Sequence, residues 1–244
     1  MLRRLPGIWE RSVNNTQAVL LQQYHKWAEV TQRALTNALR RGASKEEIAG
    51  ILSYRLNDLA GPLTGNLRAG IMRAASKAVG GSLAGWETSP QALKVIAERI
   101  AQSDLYVQQR LLPSISESIL SHIEGSLDKV TIQTALDIQK ARVNMAAGHA
   151  WAVIGETQKA ALQGYESEEQ KVVPVRWELD QHALHCETDM KRGTFGCVLL
   201  AGTYMGGINT LPTLPAANTT CALNCRCHLS LSFDGGKTFK RYTE

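Results

Sequence analysis

The residues with the most chemical capacity are five cysteines, Cys186, Cys197, Cys221, Cys225 and Cys227, and all of them fall in one C-terminal segment. Thiolates are the preferred soft ligands of Zn²⁺, and four of them close a tetrahedral structural site. Along an extended chain Cys225 and Cys227 point to the same side, and Arg226 between them points to the other. Cys221 lies one loop upstream, and Cys186 follows the first strand signal of the segment. Cys186, Cys221, Cys225 and Cys227 are therefore the candidate ligands of a structural zinc, with His185, Cys197 and His228 as further donors. The chain lacks the paired C-x-x-C knuckles of a zinc ribbon. Two other readings stay open: buried free thiols, or a disulfide between Cys186 and a later cysteine. An odd number of cysteines argues against a purely disulfide framework.

Catalytic patterns are missing from the sequence. It contains no phosphate-binding P-loop, no G-x-S-x-G elbow and no H-E-x-x-H. His185-Cys186-Glu187 gives the wrong residue order for a zinc deaminase, and Cys221 and Cys225 are one residue too far apart for its C-x-x-C. His25, His122 and His149 are scattered along helical segments without a partner motif. The expectation is a protein that is not an enzyme. The formal net charge of +5 suits work near DNA or an acidic partner without requiring either.

The elements that must position the cysteines follow from periodicity. Leu20, Tyr24, Trp27, Thr31, Leu35 and Ala38 recur at helical spacing. Gly42 fits a helix C-cap, and Ser44-Lys45-Glu46-Glu47 reads as a capping box. It opens a second helix with Ile48, Leu52, Leu56 and Leu59 on one face, ended by Gly61-Pro62. A third helix is predicted over 66–79. Ser89-Pro90 starts the next one, with Leu93, Ile96, Ala97 and Ile100 as its apolar face. Pro113 breaks or kinks it. Helical patterning resumes at Ile115, Ile119 and Ile123, and a last segment runs to about Gln163, with Gly148 and Gly155 as weak points.

Near Gly164 the pattern changes. Glu166 to Gln170 reads as a charged linker. Val172 to Trp177 and His228 to Phe233 read as strands, with a turn at Asp234-Gly235-Gly236 and Lys237 to Tyr242 as a hairpin return. The fold class is mainly α: an elongated helical region over 1–164, for assembly and docking, and a small Cys-rich α+β module over 165–244. No window approaches the roughly 18 apolar residues of a membrane span, and no apolar signal run follows the basic N-terminus. Use in a cytoplasm is expected.

Taken in order, Trp177-x-x-Asp180, Cys186, Leu214-Pro215 and Asn224-Cys225-Arg226-Cys227 form a pattern that resembles the C-terminal module of phage head-morphogenesis proteins. These are the minor head proteins of the Mu F-like and SPP1-like type. The resemblance covers about Trp177 to Leu231 and makes Trp177, Asp180, Asn224 and Arg226 its structural motif. It implies a low-copy head component, more than one per virion, made in the host cytoplasm and carried near the portal or capsid interior. The implied partners are the portal protein, the major capsid or scaffold protein, and packaged DNA. A second reading is a nucleic-acid-binding protein whose zinc module contacts that DNA through Lys191, Arg192, Lys237, Lys240 and Arg241.

Overall fold

The structure is a computed structural model and describes residues 8–125, 129–179, 187–215, 219–220 and 227–241. Among them are six long helices and a four-stranded antiparallel sheet, a mainly α chain with a small α+β part, as the periodicity predicts. The chain forms two compact units: one of residues 10–70 and 99–149, the other built on residues 71–98 and 150–244.

The first unit is helical. Its helix α1 (Ile8–Arg40) buries the predicted stripe from Leu20 to Ala38. Gly42 takes φ +72, and the amides of Gly42 and Ala43 bond the carbonyls of Leu39 and Ala38, the pairing of a Schellman motif. Ser44 and Glu47 then exchange backbone-to-side-chain bonds of 2.7 and 3.2 Å. This is the reciprocal capping box, and it launches α2 (Lys45–Ala75).

Gly61-Pro62 does not end this helix, which runs through both residues. An interior proline costs about 3 kcal/mol. Against that stand Leu56, Leu59, Leu63 and Leu67, all buried on one face, each contributing roughly 1.5–3 kcal/mol. Thr64 Oγ1 donates to the carbonyls of Ala60 and Gly61, and Asn66 Nδ2 donates to that of Pro62 at 2.7 Å. The predicted helices on either side of Pro62 are one element.

Pro113 is crossed in a different way. Helix α3 (Pro90–Tyr106) passes into a π turn, Val107–Leu111, and on into α4 (Leu112–Gly125). The widened turn sits where a proline ring would otherwise meet the preceding carbonyls. Ser89 Oγ accepts the amide of Ala92 at 3.2 Å, so the predicted start of α3 holds. Its predicted inner face holds only in part: Ile96 is buried as expected, Leu93 and Ala97 are exposed, and Ala92 and Ser103 are buried in their place. Ala92 and Ser103 carry almost no hydropathy signal, which hides that face in the sequence. Ile115, Ile119 and Ile123 of α4 are buried as predicted, facing α5 (Lys129–Ala146). Buried Gln139 donates to Ser118 Oγ at 2.9 Å, and Arg142 donates to the carbonyl of Ser114 at 2.7 Å, which pins these two helices in register.

The second unit contains α6 (Gly148–Glu169), β1 (Val175–Glu178), the one-turn α7 (Cys197–Leu200), β2 (Gly202–Tyr204), β3 (His228–Leu231) and β4 (Lys240–Arg241). The sheet order is β2-β1-β3-β4. Residues 166–169 are the last turn of α6 rather than a linker. Gln170 caps that turn at φ +50, and Glu166 Oε1 accepts the amide of Val173 at 2.8 Å, tying the helix end to the strand. The shift in composition at 164/165 thus falls inside a helix. Gly164 is needed there because a Cβ would lie 2.9 Å from the Trp86 ring. Trp86, Tyr165 and Phe233 follow in edge-to-face contacts of 6.0 and 5.5 Å.

Candidate functional site: the two faces of the small sheet

Strand β1 has alternating burial, with Val175 and Trp177 buried and Arg176 exposed. Its register with β3 sets Trp177 opposite Leu229 and Glu178 opposite His228. Both ends of the segment that carries the Trp177…Asn-Cys-Arg-Cys pattern are therefore neighbours in one sheet. Trp177 is 1 % exposed, and its Nε1 has no hydrogen-bond partner among the described residues. It packs in an apolar cluster with Val175, Leu229, Leu231, Leu200 and Ile208. Leu214 of the Leu214-Pro215 pair belongs to the same cluster, with Gly155 of α6 close against it.

Alternation separates two of the candidate ligands. Cys227 is buried in the Trp177 cluster, where Leu229 and Leu231 also lie. His228 projects to the other face and its Nε2 is 3.1 Å from Glu178 Oε2. Cys227 and His228 thus project to opposite faces of the sheet at this point, and His228 is engaged by Glu178. Cys197, the other further candidate, is buried at the start of α7 in the same cluster as Cys227. Neither thiol is in a disulfide among the described residues.

Cys186, Cys221 and Cys225, with His185, Asp180, Asn224 and Arg226, lie outside the described residues. The segments that adjoin them are stitched together. Thr188 Oγ1 accepts the amide of Gly196 at 3.0 Å, Asp189 pairs with Thr194 in a bridge, and the amide of Thr220 bonds the carbonyl of Phe195 at 2.9 Å. Thr194 and Thr220 hydroxyls are 2.9 Å apart. Among the described residues no three His, Cys, Asp or Glu side chains could hold a metal ion together. Of the four proposed zinc ligands only Cys227 can be placed, in surroundings that suit a buried thiol as well as a structural ligand.

Sequence reasoning missed Glu178 and Arg176. Both alternate with Trp177 on β1, so the parity of Val-Arg-Trp-Glu against His-Leu-Ser-Leu was the available signal. The helical histidines have separate surroundings. His122 Nδ1 is 2.7 Å from the Ser118 carbonyl. His149 packs on Tyr106 with ring centres 5.1 Å apart, and its buried Nδ1 has no hydrogen-bond partner among the described residues. Burial, with the charge of Arg99 adding to it, pushes His149 down to about 4. No described helix is long and apolar enough to cross a membrane. Comparison with protein-family models, with curated proteins and with solved structures finds no match to this chain.

Proposed function

We propose that this chain is a structural minor head protein of a tailed bacteriophage, acting in head morphogenesis at the portal or capsid interior rather than as an enzyme. The observation that carries the reading is the register of β1 with β3. Trp177, near the start of the phage-like pattern, and Leu229, just beyond its Asn-Cys-Arg-Cys end, are direct partners over one core. The two described ends of the pattern are thus neighbours in one sheet, which supports reading them as parts of a shared module. The long helices α1 and α2 expose mostly polar residues together with Val30, Tyr54 and Met72, and suit docking on a larger assembly. A structural zinc on Cys186, Cys221, Cys225 and Cys227 belongs to the same proposal, and its role would be to staple a small core.

The test is co-expression with the portal protein and, separately, with the major capsid protein encoded in the same genome. A complex with the portal that survives size-exclusion chromatography is the expected result. Failure to associate with either virion protein, under conditions where each assembles by itself, would overturn the reading.

A further inference from the structure

Helix α5 carries apolar side chains on the side turned away from the helical core. Val130, Ile138 and Met145 are 74 %, 45 % and 58 % exposed, and Thr134 and Ala141 between them are exposed as well. At 3.6 residues per turn these five fall within about 80° of the helix circumference, opposite buried Ile132, Gln139 and Val143. Steps of three and four residues along one face make the seam of a helix pair. The other exposed apolar residues of this unit, Val30, Tyr54 and Leu105, stand one to a helix, which is ordinary for a protein surface.

One flank of the stripe is closed. Arg142 donates to the Ser114 carbonyl at 2.7 Å and to Gln139 Oε1 at 2.8 Å, which turns its charge toward α4. The other flank carries Gln133, Asp137, Lys140 and Asn144 in a row. Lys140 Nζ lies 2.7 Å from Asp137 Oδ1, and both side chains stay partly exposed. Gln133 Nε2 donates to the same carboxylate at 3.0 Å. The bonds from Lys140 and Gln133 hold Asp137 below the ordinary carboxylate range, so it is ionised at neutral pH. The order amide, acid, base, amide is its own complement when the helix is reversed. A two-fold axis across the stripe sets like flank beside like flank. Asp137 of each copy then meets Lys140 of the other, and Gln133 meets Asn144. A partner of uniform charge would match only one of the two ions.

We infer that α5 is a self-association surface, on which two copies of this chain pair antiparallel through the stripe from Val130 to Met145. Self-pairing does not depend on the phage-head reading. One helix of 18 residues makes a small interface, so the dimer should be weak, with a dissociation constant on the order of 10 µM. Sedimentation velocity of the full chain from about 1 to about 200 µM should show a reversible shift from monomer to dimer. Ile138→Glu should weaken the dimer at least about tenfold. Asp137→Lys and Lys140→Asp each set like charges against each other and should be monomeric, and an equimolar mixture of the two should dimerise again, because each supplies the charge the other needs. Tyr54→Glu changes another helix and should leave association within about twofold. Circular dichroism melting confirms folding, and where Ile138→Glu unfolds, the two charge variants and their mixture decide. A wild type that stays monomeric throughout overturns the inference, as does a dimer that survives Ile138→Glu or a charge-variant mixture that stays monomeric. A chain that is monomeric alone but binds the portal protein through Ile138 also overturns self-pairing and assigns the stripe to that partner.

Discussion

Cys227 and His228 are adjacent in the chain and face opposite sides of the sheet: the thiol is buried in the Trp177 cluster, and the imidazole pairs with Glu178 at 3.1 Å. Any metal or disulfide chemistry that uses the Cys227 thiol therefore runs through the inner face. His228→Ala should leave metal content and the number of thiols protected from a disulfide reagent unchanged. Cys227→Ser should reduce thiol protection and open the Trp177 core to quenchers of its fluorescence. Loss of metal or of thiol protection in His228→Ala would contradict this separation.

Gly70 and Thr16 meet in a close approach within the helical unit. A Cβ on Gly70 would lie 2.5 Å from the Thr16 side chain, which also donates to the Ser12 carbonyl at 2.9 Å. Gly70→Ala should destabilise by about 1–3 kcal/mol from overpacking, even though alanine is the better helix former. Gly50 lies in the same helix, and a methyl group added there would meet nothing within 4 Å, so Gly50→Ala should stabilise by up to about 1 kcal/mol. Urea denaturation of the two variants reads both signs. Thr16→Ala in the Gly70→Ala background should recover most of the loss.

His149 makes the helical unit sensitive to acid. Its folded-state pKa, about 4, lies below the ordinary histidine value, so the native state resists protonation. The associated stability is present in full above the ordinary value near 6.5. It is lost as pH falls from there through about 4. The melting temperature of the wild type should drop over that window, and His149→Phe should flatten the drop. Parallel profiles for the two proteins would show that other groups control the acid response.

Asp234 organises the return into β4. Its carboxylate accepts four hydrogen bonds from Ser232, Lys237 and Thr238, which hold it well below the usual carboxylate range. Asp234→Ala should speed amide exchange in β4, at Lys240 and Arg241, while β1 keeps its protection. Unchanged exchange in β4 would place control of the hairpin elsewhere, for example in the positive φ of Gly235 and Gly236.

Local chemistry was legible in the sequence where it acts locally. The Ser44–Glu47 box, the Ser89 cap, the Gly42 terminator and the α1 stripe all form as read, because each depends on neighbours within a few residues. Pro62 misled, since the burial of Leu59, Leu63 and Leu67 outweighs a local breaker. The strand β2, Gly202–Tyr204, was missed: three residues without alternation are a strand only because β1 pairs with them. At the candidate site Trp177, which the sequence shows only as a strand residue and part of the phage-like pattern, is a buried core aromatic. The Glu178–His228 pair was not legible, since it depends on a register between distant segments. Of the proposed zinc ligands, Cys186, Cys221 and Cys225 lie outside the described residues.

Carriage of this chain in a phage head is what we propose. Its most direct test is mass spectrometry of gradient-purified, DNA-filled heads from the phage that encodes it, after external protease treatment. The account predicts peptides of this chain among the protected proteins, at a few copies relative to the major capsid protein. Their absence from heads, with the chain found only in the infected-cell lysate, would contradict it.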